Sequence, residues 1–188
     1  MADTKGARTS ARLVESMLEL IQTRGYSGTG LNTVVAHANA PKGSLYFHFP
    51  GGKEALGEKA VALAAERFRT MVSADGTPGE VVRRVLDHLA RSLEESDYQL
   101  GCPVSVVTLE MGAESDRLRG ACAAAFESWV APLAALLTAH GRDSEAARSL
   151  ATATVGMIEG AVIMSRAQRS VTPLRCAADT IGPLLDRP

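Results

Sequence analysis

The chain has 188 residues, of which 46% are hydrophobic and 22% are charged, and this balance excludes wholesale disorder and a fibrous structure. Its formal net charge is -1, but residues 1–60 hold seven basic and five acidic side chains and all four lysines, so contacts to nucleic acid are predicted only there. Because Arg, Glu or Gly interrupts every apolar stretch well before about 18 residues, no transmembrane span is predicted.

Abundant Ala, Leu, Arg and Glu, with 4% aromatic residues and little β-branched alternation, predict an all-α protein. Thr9 or Ser10 is expected to cap the first helix, and Gly25 to end it. Thr77 is expected to cap the fifth helix, and Pro132 to break or kink the seventh. The predicted helices span about residues 10–24, 31–38, 42–48, 53–71, 78–95, 104–111, 115–140, 144–168 and 173–185.

The second and third helices have the proportions of a helix-turn-helix, with the third opened by Pro41. A recognition helix needs an apolar inner face, supplied here by Leu45 and Phe49, and an outer face that enters the major groove. Lys42 suits a phosphate or a guanine edge, and a small Gly43 suits close approach to DNA. The predicted DNA-binding residues are Thr33, Lys42, Gly43, Ser44, Tyr46, His48 and Lys53, of which Lys53 also lies at a helix N-terminus.

The segment LNTVVAHANAPKGSLYFHF at residues 31–49, followed by Lys53-Glu54-Ala55-Leu56, resembles the N-terminal signature of TetR-family repressors. The Pro-Gly-Gly-Lys junction at 50–53 and the later Gly101-Cys102-Pro103-Val104 resemble the LmrA/YxaF-like subgroup. The turn lacks the glycine common in the family, so Asn39 is expected to supply any left-handed residue.

The resemblance implies a helix-turn-helix DNA-binding domain at residues 1–52 and a six-helix effector-binding and dimerisation domain at 53–188. It implies a homodimer formed through roughly residues 144–186, a palindromic double-stranded DNA operator, and release by a small apolar or aromatic effector. Apolar, aromatic and thioether side chains on several bundle helices, with one carboxylate, form the predicted effector site. These residues are Phe68, Met71, Leu86, Leu89, Cys102, Val106, Leu109, Glu110, Phe126, Trp129, Leu133, Met157 and Met164.

Each of these residues has a simpler interpretation. Most of the apolar ones suit an ordinary helical core, and Glu110 suits a solvated position equally well. An alternative role for Cys102 is the sensing of oxidants, although a buried cysteine is usually an inert small apolar residue.

Cys102, Cys122 and Cys176 are an odd number without metal-ligand spacing, and no signal peptide is recognised. This pattern predicts the reducing cytoplasm, no disulfide framework, no metal site and no cofactor. No catalytic motif is discernible, so an enzyme is not expected. The competing hypothesis is a small-molecule-binding helical scaffold that acts through protein contacts.

Overall fold

The computed structural model describes residues 5–72 and 75–187. All regular secondary structure in these two segments is α-helical, which confirms the predicted fold class. The helices found there are α1 (Lys5–Arg24), α2 (Leu31–His37), α3 (Lys42–His48), α4 (Gly52–Val72), α5 (Pro78–Glu95), α6 (Pro103–Met111), α7 (Asp116–Ala139), α8 (Ser144–Gln168) and α9 (Thr172–Leu185).

α1 begins nearer the N-terminus than the sequence predicts. Thr9 and Ser10 lie inside the helix, so the predicted cap at either position is wrong. Thr9 is buried on the same face as Leu13, four residues later, and burial of this face extends the helix toward its N-terminus. The other end agrees with the prediction, because Gly25 has a φ of +79° and its N–H donates to the Ile21 carbonyl at 3.0 Å.

The start of α5 is a capping box. The N–H of Glu80 donates to Thr77 Oγ1 at 3.3 Å, and Glu80 Oε2 accepts from the N–H of Thr77 at 3.0 Å. These bonds satisfy two backbone donors that a helix N-terminus leaves without partners, and Pro78 occupies the first turn. The predicted cap at Thr77 is therefore confirmed.

α7 remains helical through Pro132, so the predicted break does not form. Leu133 and Leu137 are fully buried, and their packing maintains the helix where proline removes one hydrogen bond. By length and composition α7 is apolar enough to cross a membrane, a test that core helices of soluble proteins also pass. Its Glu127 accepts two hydrogen bonds from the Arg148 guanidinium, at 2.7 and 2.6 Å, as in a partly solvated bundle helix.

The described residues form two compact units. Unit 1 comprises the residues up to Ala64 and Pro103–Ala125, and unit 2 comprises Ala65–Cys102 and the residues from Phe126 onward. The helices α4 and α7 each contribute to both units. The sequence predicts a functional boundary at residue 52, which does not coincide with the division into compact units. This functional boundary stays a prediction.

In unit 1, α1 packs against α2, α3 and α6, and α2 packs against α3. The side chains at its centre are large, apolar and almost completely buried, which is the main source of its stability. They include Leu13, Met17, Ile21, Val34, Leu45, Leu56 and Leu118.

In unit 2, α9 packs against α5 and α8. The side chain of Trp129 is buried there, and its Nε1–H donates to the Ala65 carbonyl at 3.0 Å. Its ring centroid lies 4.4 Å from that of Phe68 and 5.4 Å from that of Phe126. This aromatic cluster, Phe68, Phe126 and Trp129, joins α4 to α7 within the unit.

Candidate DNA-binding surface

The turn between α2 and α3 is closed by local backbone hydrogen bonds. The N–H groups of Ala38, Asn39 and Ala40 donate to the carbonyls of Val34, Ala36 and Val35 at 2.9, 3.1 and 3.1 Å. Asn39 has a φ of +46°, which confirms that it supplies the left-handed residue. The turn therefore brings the chain into α3 without a glycine.

The inner face of α3 is apolar, as predicted. Leu45 and Phe49 are buried one helical turn apart, and the N–H of Phe49 donates to the Leu45 carbonyl at 2.7 Å. Pro41 is the N-cap residue and lies immediately before the first helical position. Burial of these two side chains fixes which face of α3 is turned outward.

The outer face of α3 carries most of the predicted DNA-binding residues. Lys42 and Gly43 are exposed, Tyr46 is 64% exposed, and Ser44 and His48 are half-buried. A Cβ added at Gly43 would meet no atom within 4 Å, so packing inside the described chain does not require a glycine there.

Phe47 is 81% exposed, and it was absent from the predicted site. Its ring meets that of His48 edge to face, with centroids 5.0 Å apart. At about 100° per residue, position 47 lies about 200° from both Leu45 and Phe49. The helical periodicity that places those two inward was therefore sufficient to predict that Phe47 points outward.

Thr33 and Lys53 flank α3 in the chain. Thr33 lies in the first turn of α2 and is half-buried. Lys53 lies in the first turn of α4, where its Nζ is 4.3 Å from the centroid of the Tyr26 ring. Burial lowers the pKa of Lys53, and the nearby Glu110 carboxylate acts in the opposite direction. The ammonium of Lys53 thus already has partners within unit 1.

Burial raises the pKa of Tyr26 to about 12, and the charge of Glu54 makes a smaller contribution in the same direction. Its ring also contacts α4, because a Cβ added at Gly57 would lie 2.6 Å from Tyr26 Cε2. Tyr26 therefore joins the turn after α1 to the first half of α4.

The predicted effector residues fall in both units. Ten lie in unit 2, where Leu86, Trp129 and Leu133 are buried, while Met157 and Met164 are exposed on α8. Their partly buried companions in unit 2 are Phe68, Met71, Leu89, Cys102 and Phe126.

Three predicted effector residues, all on α6, lie in unit 1. Val106 is half-buried and Leu109 is 79% exposed. Glu110 accepts a hydrogen bond from the N–H of Ser27 at 2.7 Å. The carboxylate therefore contacts the turn after α1, a contact that sequence spacing did not reveal.

A pocket of about 100 Å³ in unit 2 involves none of the predicted effector residues. It is lined by Thr77, Pro78, His140, Arg142, Leu185, Asp186 and Arg187.

Comparisons with known proteins agree with this arrangement. Residues 13–60 match the family model described as bacterial regulatory proteins, tetR family, and residues 78–180 match the model of the LmrA/YxaF-like transcriptional regulator C-terminal domain. The HTH-type transcriptional regulator LmrA of Bacillus subtilis strain 168 is 33% identical over 180 residues, which cover 94% of this chain and 96% of the relative. The HTH-type transcriptional repressor DhaR of Mycobacterium sp. strain GP1 is 31% identical over 178 residues, which cover 89% of this chain and 88% of the relative.

A solved structure shows the same architecture. The crystal structure of a TetR transcriptional regulator from Legionella pneumophila superposes with a TM-score of 0.82 at 20% identity, and the match covers 92% of this chain and 95% of that chain. At this identity the likeness concerns the fold: an N-terminal helix-turn-helix followed by a helical C-terminal part.

Proposed function

Because the chain belongs to the TetR family of bacterial transcriptional regulators and carries an LmrA/YxaF-like C-terminal domain, we propose that it represses transcription from a palindromic operator and is released by a small apolar or aromatic effector. Regulators of this family bind DNA and act as dimers, and they are not enzymes. The repressor designation of DhaR supports repression rather than activation. The family assignment favours a cytoplasmic DNA-binding regulator over a helical scaffold that acts only through protein contacts.

The outer face of α3 is the observation that carries the DNA-binding proposal. Lys42, Tyr46 and Phe47 point away from the core, while Leu45 on the opposite side of the same helix is buried. In this proposal Lys42 contacts phosphate or a guanine edge, and Tyr46 and His48 contact the phosphate backbone. The unfilled space beside Gly43 lets the DNA backbone approach α3 closely.

Thr33 and the start of α4 complete the proposed site. Thr33 faces one strand from the first turn of α2, and the main-chain N–H groups near Lys53 offer donors to a phosphate. One such module makes few contacts, whereas a two-fold dimer doubles them over two half-sites of a palindrome.

The test begins with selection of DNA sequences by the wild-type protein from a random pool, followed by fluorescence anisotropy titrations at several salt concentrations. Lys42→Ala in both protomers should weaken binding and reduce the salt slope by about two, since each lost phosphate contact contributes about 0.9. Arg91→Ala is the control, because Arg91 is an exposed cation on α5. No enriched palindrome with the wild type, or equal salt slopes for the two variants, would contradict the proposal.

We place the dimer interface on α8 and α9, within residues 144–186. Large apolar side chains there are partly exposed in the described chain: Met157, Ile163, Met164 and Leu184. A Cβ added at Gly156 or Gly160 would meet no atom within 4 Å, so these glycines leave room for a partner helix. Exposed apolar side chains on adjacent helices are typical of a subunit interface.

An interface at α8 and α9 predicts that two glycine substitutions have opposite effects on helix stability and on dimer stability. Gly156→Ala and Gly160→Ala should each favour the helix by about 0.5–1 kcal/mol, yet weaken the dimer if a partner helix packs there. Gly120→Ala on α7 is the control, because it has the same helical preference and its Cβ also meets nothing. Sedimentation over a concentration series measures the dimer, and equal dimer stability in all three variants would place the interface elsewhere.

We propose that the effector binds in unit 2, at the aromatic cluster of Phe68, Phe126 and Trp129, and shifts the equilibrium between DNA-binding and released conformations. α4 is the proposed transmitting element, because it carries Lys53 in its first turn and Phe68 near its C-terminal end. A ligand accommodated better by a shifted α4 would then move the two α3 helices out of register with the operator. Release of the operator therefore requires effector binding and no covalent step.

Trp129 is the single tryptophan of the chain, so its fluorescence reports on the aromatic cluster directly. Titration with a panel of small apolar aromatic compounds, with and without bound operator, should identify compounds that change this emission and release the DNA at the same concentrations. A compound that saturates the emission change while the operator affinity stays constant would contradict the release mechanism.

A further inference from the structure

The carboxylate of Glu110 on α6 is placed against the turn that follows α1. Its Oε2 accepts the N–H of Ser27 at 2.7 Å, although the two residues are 83 positions apart in the chain. Its Oε1 lies too close to residue 25 to leave room for a Cβ, and Gly25, with a φ of +79°, has none. All of these residues belong to unit 1.

The turn that Glu110 contacts leads directly into α2. The N–H of Thr29 donates to the Tyr26 carbonyl at 3.0 Å, and Thr29 Oγ1 donates to the Gly25 carbonyl at 2.6 Å. Thr29 is fully buried, and the next residue, Gly30, is the N-cap of α2. A hydrogen bond at Ser27 therefore restrains the position at which the helix-turn-helix begins.

Glu110 also acts on the first turn of α4. Its negative charge favours the protonated form of Lys53, whose Nζ lies over the Tyr26 ring. The carboxylate thus interacts with the turn by a hydrogen bond and with Lys53 by charge. A charge-assisted hydrogen bond is stronger than a neutral one, although solvent weakens it here because Glu110 and Ser27 are both exposed.

We propose that Glu110 is a positioning residue for operator binding, which holds the turn at residues 25–27 and hence the start of α2 in the DNA-binding geometry. This inference rests on the proposed DNA-binding function, and it assigns Glu110 a role different from the predicted effector contact. It also makes α6 part of the structure that sets operator affinity.

The sign of the effect separates positioning from simple electrostatics. Removing an acidic side chain near a DNA-binding surface normally strengthens binding, because repulsion from phosphates decreases. If Glu110 positions the turn, Glu110→Ala should instead weaken binding, by roughly two- to fivefold, because the lost hydrogen bond joins two exposed residues. Glu110→Gln keeps an oxygen that accepts the Ser27 N–H but loses the charge, so it should retain more operator affinity than Glu110→Ala.

The experiment measures operator affinity and hydrogen exchange for the wild type, Glu110→Ala, Glu110→Gln and the control Glu114→Ala. Glu114 is an exposed carboxylate of unit 1 and follows α6 in the chain. We expect faster exchange in the peptide covering residues 25–33 for Glu110→Ala alone, together with its loss of affinity. Far-UV circular dichroism checks that each variant is folded.

Equal affinity and equal exchange in Glu110→Ala and Glu114→Ala would overturn the proposal, as would an equal loss in Glu110→Gln and Glu110→Ala. Failure of the wild type to bind any DNA would instead refute the proposed function. The exchange measurement still decides whether Glu110 orders the turn in that case.

Discussion

Phe47→Ala tests whether the exposed aromatic of α3 is a DNA contact or a tolerated surface residue. An aromatic side chain offers roughly 150–250 Å² of surface. Because Phe47 is 81% exposed, most of that area is available to a partner. If DNA covers half of the available area, about 60–100 Å² is buried, which at about 25 cal/mol per Å² corresponds to about 1.5–2.5 kcal/mol per protomer.

This magnitude implies a loss of operator affinity of about 10- to 70-fold for each copy and about 150- to 5,000-fold for a dimer. The free energy of unfolding should change by less than about 0.5 kcal/mol, since the ring has few intramolecular contacts to lose. Fluorescence anisotropy with the selected operator measures the first quantity, and urea unfolding measures the second.

Leu45→Ala is the matched comparison on the inner face of the same helix. Leu45 is buried, so truncation should lower the free energy of unfolding by about 2–5 kcal/mol. Unchanged operator affinity in Phe47→Ala would refute the assignment of the outer face. A large loss of stability in Phe47→Ala would show that the ring packs against the protein instead.

Three further predictions concern stability and titration. Thr77→Ala should lower the free energy of unfolding by about 1 kcal/mol in urea, with Thr77→Ser as the control that keeps the cap. Gly79→Ala should cost about 1–3 kcal/mol in the same assay, because the added Cβ meets the backbone carbonyl oxygen of Gly182, whereas Gly120→Ala should be neutral or stabilising. A phenolate absorbance titration should show a step for Tyr26 at about pH 12 that Tyr26→Phe removes. Because this folded-state pKa is raised, the associated stability is present below pH 10 and is lost as the pH rises to about 12; a titration with every tyrosine near 10 would contradict it.

The local structure around α3 was predictable because it depends on residues close together in the chain. Apolar residues four apart placed Leu45 and Phe49 inward, and the need for a left-handed turn pointed to Asn39. Applied to every position, the same periodicity would also have found Phe47. Thr77 was recognised because a capping box uses residues only three apart.

Other expectations failed because packing overrode local preference. Thr9 and Ser10 are good caps in isolation, but burial of the Thr9 face continues α1 past both of them. Pro132 disrupts a free helix, yet α7 continues through it, with the buried Leu133 following directly.

What the sequence determined by itself is the set of helices, the family and the outward face of α3, since each depends on local spacing or on a contiguous motif. Only the tertiary structure decided that Glu110 bonds the Ser27 N–H and that the Arg166 guanidinium lies against Gly101. These partners are separated by more than 60 residues, a distance over which no periodicity or capping rule applies. Their contacts exist because chain folding brings particular helix surfaces together, and spacing along the chain carries no record of that geometry.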